Sequence, residues 1–390
     1  MGSSAARLRG CVLSSAVAAV AACGATGSPS PTARATASSP AATASPAPSA
    51  GADACAVAPE APVPAIIPAN FATALAFAPD GRLFYTERSG TVRVWQNGAA
   101  KTFATVSTVT TEAGGSYSER GLLGLAISPT YGSDRFVYAF YSDANRTQQH
   151  VIRWRDCAGV GVDASVLITL PSGSDCCHKG GRLAFGTDGM LYVTLGEEHA
   201  AAAAQNTSDA RGKLLRYRPD GSIPSDNPFG PTDPVWAYGL RNPFGIAVAA
   251  NGQIAITNNG PSGDAGSPGT GYDTMILSVP RGAGYQWPDC YGYSHPLAVS
   301  SGCNGRTAPD WSSESETVIP TGAAFIDGAG PAALAGHLVF CTYARGMLVV
   351  TPGTPHATVA AGSARCTLAV VEGPEHAVYV SDTGHIYRLA

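Results

Sequence analysis

The chain lacks an excess of charge of either sign. Its 24 lysines and arginines against 28 aspartates and glutamates leave a net charge of −4 over 390 residues. A partner held through phosphates needs a basic stripe, so no nucleic-acid partner is expected. Beyond the first two dozen residues there is no second long apolar run, and no transmembrane helix is expected. Segments with a sustained 3.6-residue period are few, which leaves strands as the main element. Nor is there a second pair of closely spaced cysteines, or a histidine cluster, to join the adjacent Cys176 and Cys177 around zinc.

What the chain does have begins with a leader. Arg7 and Arg9 precede a small-residue apolar run from Cys11 to Ala22, too short to span a bilayer, which reads as a signal peptide. It ends in Val20-Ala21-Ala22-Cys23-Gly24, which resembles a bacterial lipoprotein cleavage box with Cys23 as the acylated residue. An ordinary secretory signal cut nearby is the alternative. Residues 1–23 are therefore expected to direct export, and the membrane is expected to be met only through an N-terminal lipid anchor on its extracytoplasmic side. Residues 24–61 are rich in Ser, Pro, Ala and Thr and hold too little apolar surface to fold, as befits a tether.

From residue 62 to 390 one phrase recurs: an apolar strand, a turn built on Pro-Asp-Gly or a relative, and a second alternating strand. It reads LAFAPDGRLFYTE from Leu75, LGLAISPTYGSDRFVYAFYS from Leu123, LAFGTDGMLYVTLGE from Leu183 and IAVAANGQIAITNNG from Ile246. Weaker copies start at Ala323 and Leu368. The period of two and the Gly, Asp, Asn and Pro between the strands are hairpin signals. Six copies at propeller-blade spacing predict an all-β, six-bladed β-propeller with four-stranded antiparallel blades. A pair of β-sandwiches, the other all-β option, does not call for six copies of one hairpin. The strand from His376 to Leu389 is expected to close the ring with an early strand, because closure removes exposed edges.

Ten cysteines less Cys11 and Cys23 leave eight in the exported part, an even number that favours disulfides in an oxidising compartment. Nearness in sequence suggests Cys290 with Cys303 and Cys341 with Cys366, leaving Cys55 with Cys157. Cys176 and Cys177 are candidates for a vicinal bond. The stretch Cys176-Cys177-His178-Lys179-Gly180-Gly181-Arg182 stands directly before a strongly alternating strand. Its two glycines permit torsions that other residues avoid and let a ligand approach closely. A histidine fixed by such a strand suits a general base.

Several motifs in order resemble the glucose/sorbosone dehydrogenase family of soluble quinoproteins. They are TERSG at Thr86–Gly90, ERGLLGLAISP at Glu119–Pro129, HKGGRLAFGTDGMLYVTLGE at His178–Glu197 and GKLLRYRPDGSIPSDNPF at Gly212–Phe229. YGLRNPFGIAV at Tyr238–Val248, Asn-Gly-Pro at Asn259–Pro261 and GYQWPDCYG at Gly284–Gly292 complete the set. The resemblance implies the same propeller fold. It also implies oxidation of an aldose at its anomeric hydroxyl, to the lactone, with pyrroloquinoline quinone (PQQ) as hydride acceptor and an electron acceptor of unknown identity. By the same likeness His178 is the base. Arg241 and Asn242 sit against the quinone oxygens, where a guanidinium stabilises developing negative charge. Glu119 lies at the pocket, and the carbonyls of Gly260 and Pro261 bind calcium, a hard cation suited to oxygen ligands.

The C-terminal third departs from the family pattern. Where the better-studied quinoproteins have Lys-Arg-Gly, this chain reads Ala344-Arg345-Gly346, and where they have an Arg-x-Arg pair it keeps only Arg365. Arg345 and Arg365 thus remain as cofactor-binding candidates, with Lys179 and Arg182 as possible substitutes for the missing cations. A cofactor with three carboxylates is weakened by the loss of positive partners. The second reading is therefore a family member without cofactor that binds a carbohydrate or a protein at the channel mouth. A calcium-dependent lactonase, a third, needs a set of carboxylate and asparagine ligands around the axis, and no clear set is apparent.

Overall fold

The computed structural model describes Cys55, Val57 and residues 62–173, 175–297 and 302–389. The expected signal peptide, Cys23 and nearly all of the Ser/Pro/Ala/Thr-rich segment lie outside the described residues. Among the described residues no helix is long and apolar enough to cross a membrane.

Six four-stranded antiparallel sheets form the blades of a propeller. The six repeated phrases supply the first two strands of each. The inner strands are Ala72–Phe77, Leu122–Ile127, Gly180–Phe185, Asn242–Val248, Pro320–Phe325 and Val370–Glu372, in blades I to VI. Neighbouring inner strands touch around the ring, and that of blade VI returns to that of blade I. Closure comes from the early strand Ile66–Pro68, which pairs with His385–Leu389 as the outermost strand of blade VI. Blade IV also carries a two-stranded hairpin, Cys290–Tyr291 with His295–Pro296, between its third and fourth strands.

Alternation along the strands places apolar side chains between blades rather than in one central core. Six apolar clusters result, one at each junction. At the closing junction Ile67, Tyr379 and Ile386 of blade VI pack with Leu75, Leu83 and Tyr85 of blade I. Inner strands approach closely where glycine removes the side chain. A Cβ on Gly124 would stand 2.2 Å from the Gly181 carbonyl oxygen, and one on Gly245 2.0 Å from that of Thr321.

The inner strands of blades I to V share a further feature. Each breaks register with its neighbour near its start, between Ala72 and Ala74, Leu122 and Gly124, Gly180 and Leu183, Pro243 and Gly245, and Pro320 and Ala323. A bulge leaves a residue outside the ladder and turns it aside. The bulged residues Thr73, Leu123, Arg182, Phe244 and Thr321 all line one cavity at the channel mouth. Arg182 is buried there, and its guanidinium donates to the carbonyls of Thr73, Leu123 (2.9 Å) and Phe244 (2.9 Å). Burial pulls its pKa down to about 10.

Four disulfides join Cys55 to Cys157, Cys176 to Cys177, Cys290 to Cys303 and Cys341 to Cys366. Peptide mapping of the unreduced protein is expected to yield these four links and no free thiol at Cys176 or Cys177. Arg182→Met keeps much of the side-chain volume but strands three buried carbonyls. It is expected to lower the unfolding free energy by roughly 2–5 kcal/mol in denaturant titration.

Candidate active site at the channel mouth

The loop from the outer strand of blade II, Val160–Pro171, to the inner strand of blade III delivers His178 to the mouth. His178 takes a left-handed backbone (φ 57°), followed by Gly180 (φ 59°) and Gly181 (φ 84°). Such a conformation is unfavourable for a histidine and persists only where its surroundings impose it. Here Glu119 imposes it: its Oε2 accepts the main-chain N–H of His178 (2.8 Å) and of Lys179 (3.3 Å). The same oxygen accepts from Asn242 Nδ2 (3.1 Å), while Asn242 Oδ1 accepts from the Gly180 N–H (3.1 Å). Gly196 leaves room for the turn, since a Cβ there would stand 1.9 Å from the His178 carbonyl oxygen.

The His178 imidazole is held at both nitrogens. Nδ1 bonds the Glu197 carboxylate, and Nε2 faces Nε2 of His199 at 3.2 Å. His199 Nδ1 in turn bonds Asp175 Oδ2 at 2.7 Å. The side chains grade outward, from 0 % exposure at Glu197 and 5 % at His178 to 35 % at His199 and 45 % at Asp175. Burial raises the Asp175 carboxyl, but hydrogen bonds from His199 and the Cys176 N–H, with the His199 and Lys179 charges, outweigh it and hold it below its ordinary value.

Behind this row lies a buried ion pair, Lys179 with Glu198 at 3.3 Å. Burial drives the lysine pKa down and the glutamate pKa up. Gln149 Nε2 and the Gly173 N–H also donate to Glu198, and Arg120 bonds the Gly173 and Asp175 carbonyls, so the loop is fixed from beneath. The vicinal disulfide precedes His178, and the Cys176 carbonyl accepts from the Glu119 N–H (2.9 Å).

Arg241 is 2 % exposed and spends its donors within the protein. Nε and Nη2 grip Asp264 at 2.8 Å each, and Nη2 also donates to Ser262 Oγ (3.2 Å). Nη1 donates to the carbonyls of Gly260 and Asn259 (3.4 Å). The Gly260 carbonyl, offered to calcium by the family likeness, is thus directed at a guanidinium. Pro261 is buried beside it. Asp264 brings the two halves together, because one ligand atom each from His178, Glu197 and Asp264 lie within 4.8 Å of one another.

The cavity at the mouth has a volume of about 270 Å³, at the low end for small-molecule pockets. Phe71, Tyr117, Phe244 and Tyr343 wall it, and Arg88, Glu119 and Asn259 add polar groups. Asn259 Oδ1 and Arg182 Nη2 are buried without a hydrogen-bond partner. Arg345 and Arg365 are not part of this lining: Arg345 pairs with Glu316, and Arg365 lies over the Tyr387 ring at 4.6 Å. Lys179 and Arg182, the other candidate cations, face Glu198 and the channel carbonyls as described.

The sequence reading assigned no role to Glu197, His199, Asp175, Asp264 or Asn259. Glu197 closes the motif that starts at His178, and hairpin pairing of Gly180 with Leu195 brings those ends together, a signal that could have found it. The other four stand in turns or at a strand end, where no period marks them.

With this geometry in hand, the chain matches the family model described as glucose/sorbosone dehydrogenase over residues 69–388, and it belongs to that family. It is 31% identical over 228 residues to the aldose sugar dehydrogenase YliI of Escherichia coli, covering 55% of this chain and 58% of that protein. It is 30% identical over 256 residues to the quinoprotein glucose dehydrogenase B of Acinetobacter calcoaceticus, covering 56% and 50%. The chain thus spans about half the length of these curated relatives. Among solved structures, the soluble aldose sugar dehydrogenase from Escherichia coli in its apo-form superposes with a TM-score of 0.68 at 26% identity, over 82% of this chain and 95% of that one.

The Arg241–Asp264 pair makes an acid-stability prediction. Burial raises the Asp264 carboxyl, but the hydrogen bonds and charge of Arg241 outweigh it and bring it from 3.8 down to about 2. A carboxylate depressed in the folded state stabilises fully above its unfolded pKa, and that contribution is lost as pH falls through the folded one. Asp264→Asn is therefore expected to cost about 2 kcal/mol at neutral pH. It should also flatten the decline in stability between about pH 4 and pH 2, as read by denaturant unfolding across that window.

Proposed function

We propose that this protein is an exported aldose dehydrogenase that oxidises the anomeric hydroxyl of a sugar to the lactone, with PQQ as acceptor. The observation that carries the reading is the His178 imidazole, held by buried Glu197 within a carboxylate-pinned turn at the mouth of a propeller channel. Family membership and the names of the relatives support the sugar and the quinone. Export is supported by four disulfides, which persist in oxidising compartments, and anchoring through Cys23 by the cleavage-box sequence alone.

The channel-mouth cavity fits a flat aromatic cofactor. Its four aromatic walls suit stacking, Arg88 adds a cation, and the orphaned Asn259 Oδ1 and Arg182 Nη2 belong to its lining residues. When bound, the quinone would supply the acceptor for the hydride leaving the anomeric carbon. Arg88, Asn259 and the aromatic walls would hold it. The chain's own part is the proton. Glu197 orients the imidazole through Nδ1, and Nε2, which His199 Nε2 faces at 3.2 Å, is the atom that would accept the hydroxyl proton. A calcium ion fits less well, since the Gly260 carbonyl already accepts from Arg241, and calcium enters no step here.

A second reading, a propeller that binds a carbohydrate or protein surface without cofactor, is favoured by the commitment of Arg241 to Asp264 and of Arg345 to Glu316. One experiment separates the two. Purified protein is titrated with the quinone, with and without calcium, while absorbance reports uptake and dye reduction reports oxidation of a panel of aldoses. Uptake and turnover are expected, and His178→Ala should lower turnover by about two to four orders of magnitude. Absence of quinone uptake would sink the dehydrogenase reading and leave the binding module.

A further inference from the structure

We propose that Arg88, with the phenols of Tyr117 and Tyr343, forms a carboxylate-binding subsite on the rim of the channel-mouth cavity. The proposal deepens the dehydrogenase reading and rests on it only for which ligand brings the carboxylate, a quinone cofactor or an acidic sugar.

Blade geometry places the three side chains. Inner strands start at the mouth, so the antiparallel second strands run back to it. In blade I the second strand is Leu83–Glu87, and Arg88 follows it; in blade V it is Leu338–Thr342, and Tyr343 follows. The two corners are built alike. The Arg88 N–H donates to the Phe71 carbonyl (3.1 Å) and the Tyr343 N–H to the Ile319 carbonyl (2.9 Å). Both acceptors stand just ahead of their inner strands in left-handed backbone, at φ 56° and 55°. Tyr117 arrives from the loop before the inner strand of blade II, and all five residues line the one cavity.

The guanidinium is fixed but only partly spent. Nε donates to the Arg120 carbonyl (2.9 Å), and Nη2 to the carbonyls of Thr110 (3.1 Å) and Ser118. Gly121 makes room for it, since a Cβ there would stand 2.6 Å from Arg88 Cγ. Among the described residues Nη1 has no hydrogen bond, and it is not among the buried atoms. Its bonded neighbours are neutral carbonyls. The one carboxylate of the cavity lining, Glu119, turns Oε2 to the donors of His178, Lys179 and Asn242. A half-buried cation held by carbonyls alone keeps its charge available to an anion. Burial lowers the Arg88 pKa, while Tyr117, Glu119 and Tyr343, its neighbours at the rim, act the other way.

The phenols complete the receptor. Tyr117 is 71 % exposed and Tyr343 53 %, and neither O–H is hydrogen-bonded among the described residues. A carboxylate has two oxygens with about four lone-pair sites, enough for a guanidinium N–H and two phenol O–H groups. With Ile319 these tyrosines are the exposed large apolar side chains of the cavity lining. Apolar surface around a donor set suits a carboxylate carried on a ring rather than a free inorganic ion. Arg88 meets one such group, and stacking holds the rest of the ligand.

The test uses protein free of quinone and sugar and reads equilibrium binding by calorimetry. Quinoline-2-carboxylate, a flat acid, is expected to bind about 10- to 100-fold more tightly than quinoline-2-carboxamide. Arg88→Met should abolish that preference. Because Arg88 also serves three carbonyls, a second variant combines Tyr117→Phe with Tyr343→Phe and removes only two hydroxyls from exposed side chains. It should weaken the acid by about 3- to 10-fold and leave the amide unchanged. No preference for the acid in the unmodified protein, or a preference untouched in the double phenylalanine variant, would overturn the subsite. Two further pairs identify the source: PQQ against its trimethyl ester, and glucuronate against its methyl ester. Discrimination that falls in the double variant assigns the carboxylate to the cofactor in the first pair and to the sugar in the second. Discrimination in neither pair would also reject the proposal. Acid-selective binding with no aldose oxidised would remove the dehydrogenase reading and leave the subsite standing.

Discussion

Everything at the mouth of the channel depends on one buried cation. The bulges at the start of the inner strands take Thr73, Leu123 and Phe244 out of their ladders, and a bulge leaves backbone groups unpaired. A buried carbonyl without a donor costs about 1–3 kcal/mol. Arg182, itself displaced by the bulge in blade III, meets those carbonyls from the middle of the channel. A single planar group with five donors in a fixed fork can serve acceptors from several blades at once. Blades I, II, III and IV are thereby tied together at the axis, and the bulges can turn side chains into the cavity without stranding the backbone.

Glu119 extends the same logic to the candidate site. It stands on blade II, His178 and Lys179 enter blade III, and Asn242 opens blade IV. Its one oxygen Oε2 accepts from both of the other segments. Its own N–H donates to the Cys176 carbonyl, so the loop carrying the vicinal disulfide is gripped from both sides of His178. The left-handed turn at His178 is therefore over-determined by three blades, which is the condition for strained backbone to persist at a functional site. A resemblance that places Glu119 only as a polar residue of the pocket understates it: the carboxylate lines the cavity and also fixes the turn of the candidate base.

The blades were legible because a strand buried on one face writes its period into the sequence. Each of the six repeated phrases became the inner hairpin of a blade, down to the weak copies from Ala323 and Leu368, and the terminal strand closed the ring with Ile66–Pro68. The turn at His178 was legible from its setting between two cysteines and two glycines, where the chain must bend sharply. The partners were not. Asp264 sits in a glycine- and serine-rich loop that carries no period, and only the fold brings it to Arg241, 23 residues away. Asp175 and His199 are 24 residues apart on opposite sides of a hairpin, so their contact follows from register rather than from any motif. The register slips themselves, which set where Arg182 points, follow from close packing around the axis and leave no mark beyond an occasional glycine.

The balance of charge at the mouth also bears on the cations of the C-terminal third. Arg345 and Arg365, which the resemblance offers to an anionic cofactor, are turned to Glu316 and Tyr387, and Arg241 is saturated by Asp264. Ion pairs at exposed positions contribute little in any case. What the cavity presents instead is aromatic surface, with Arg88 beside Phe71 at 5.2 Å and its pKa lowered chiefly by burial. Recognition of a flat group here therefore leans on stacking and desolvation more than on paired charges. The acidic groups Glu119, Glu197 and Asp264 gather around His178. The two tasks of the proposed reaction, seating a planar acceptor and removing a proton, thus fall to separate sets of side chains that meet at Glu119.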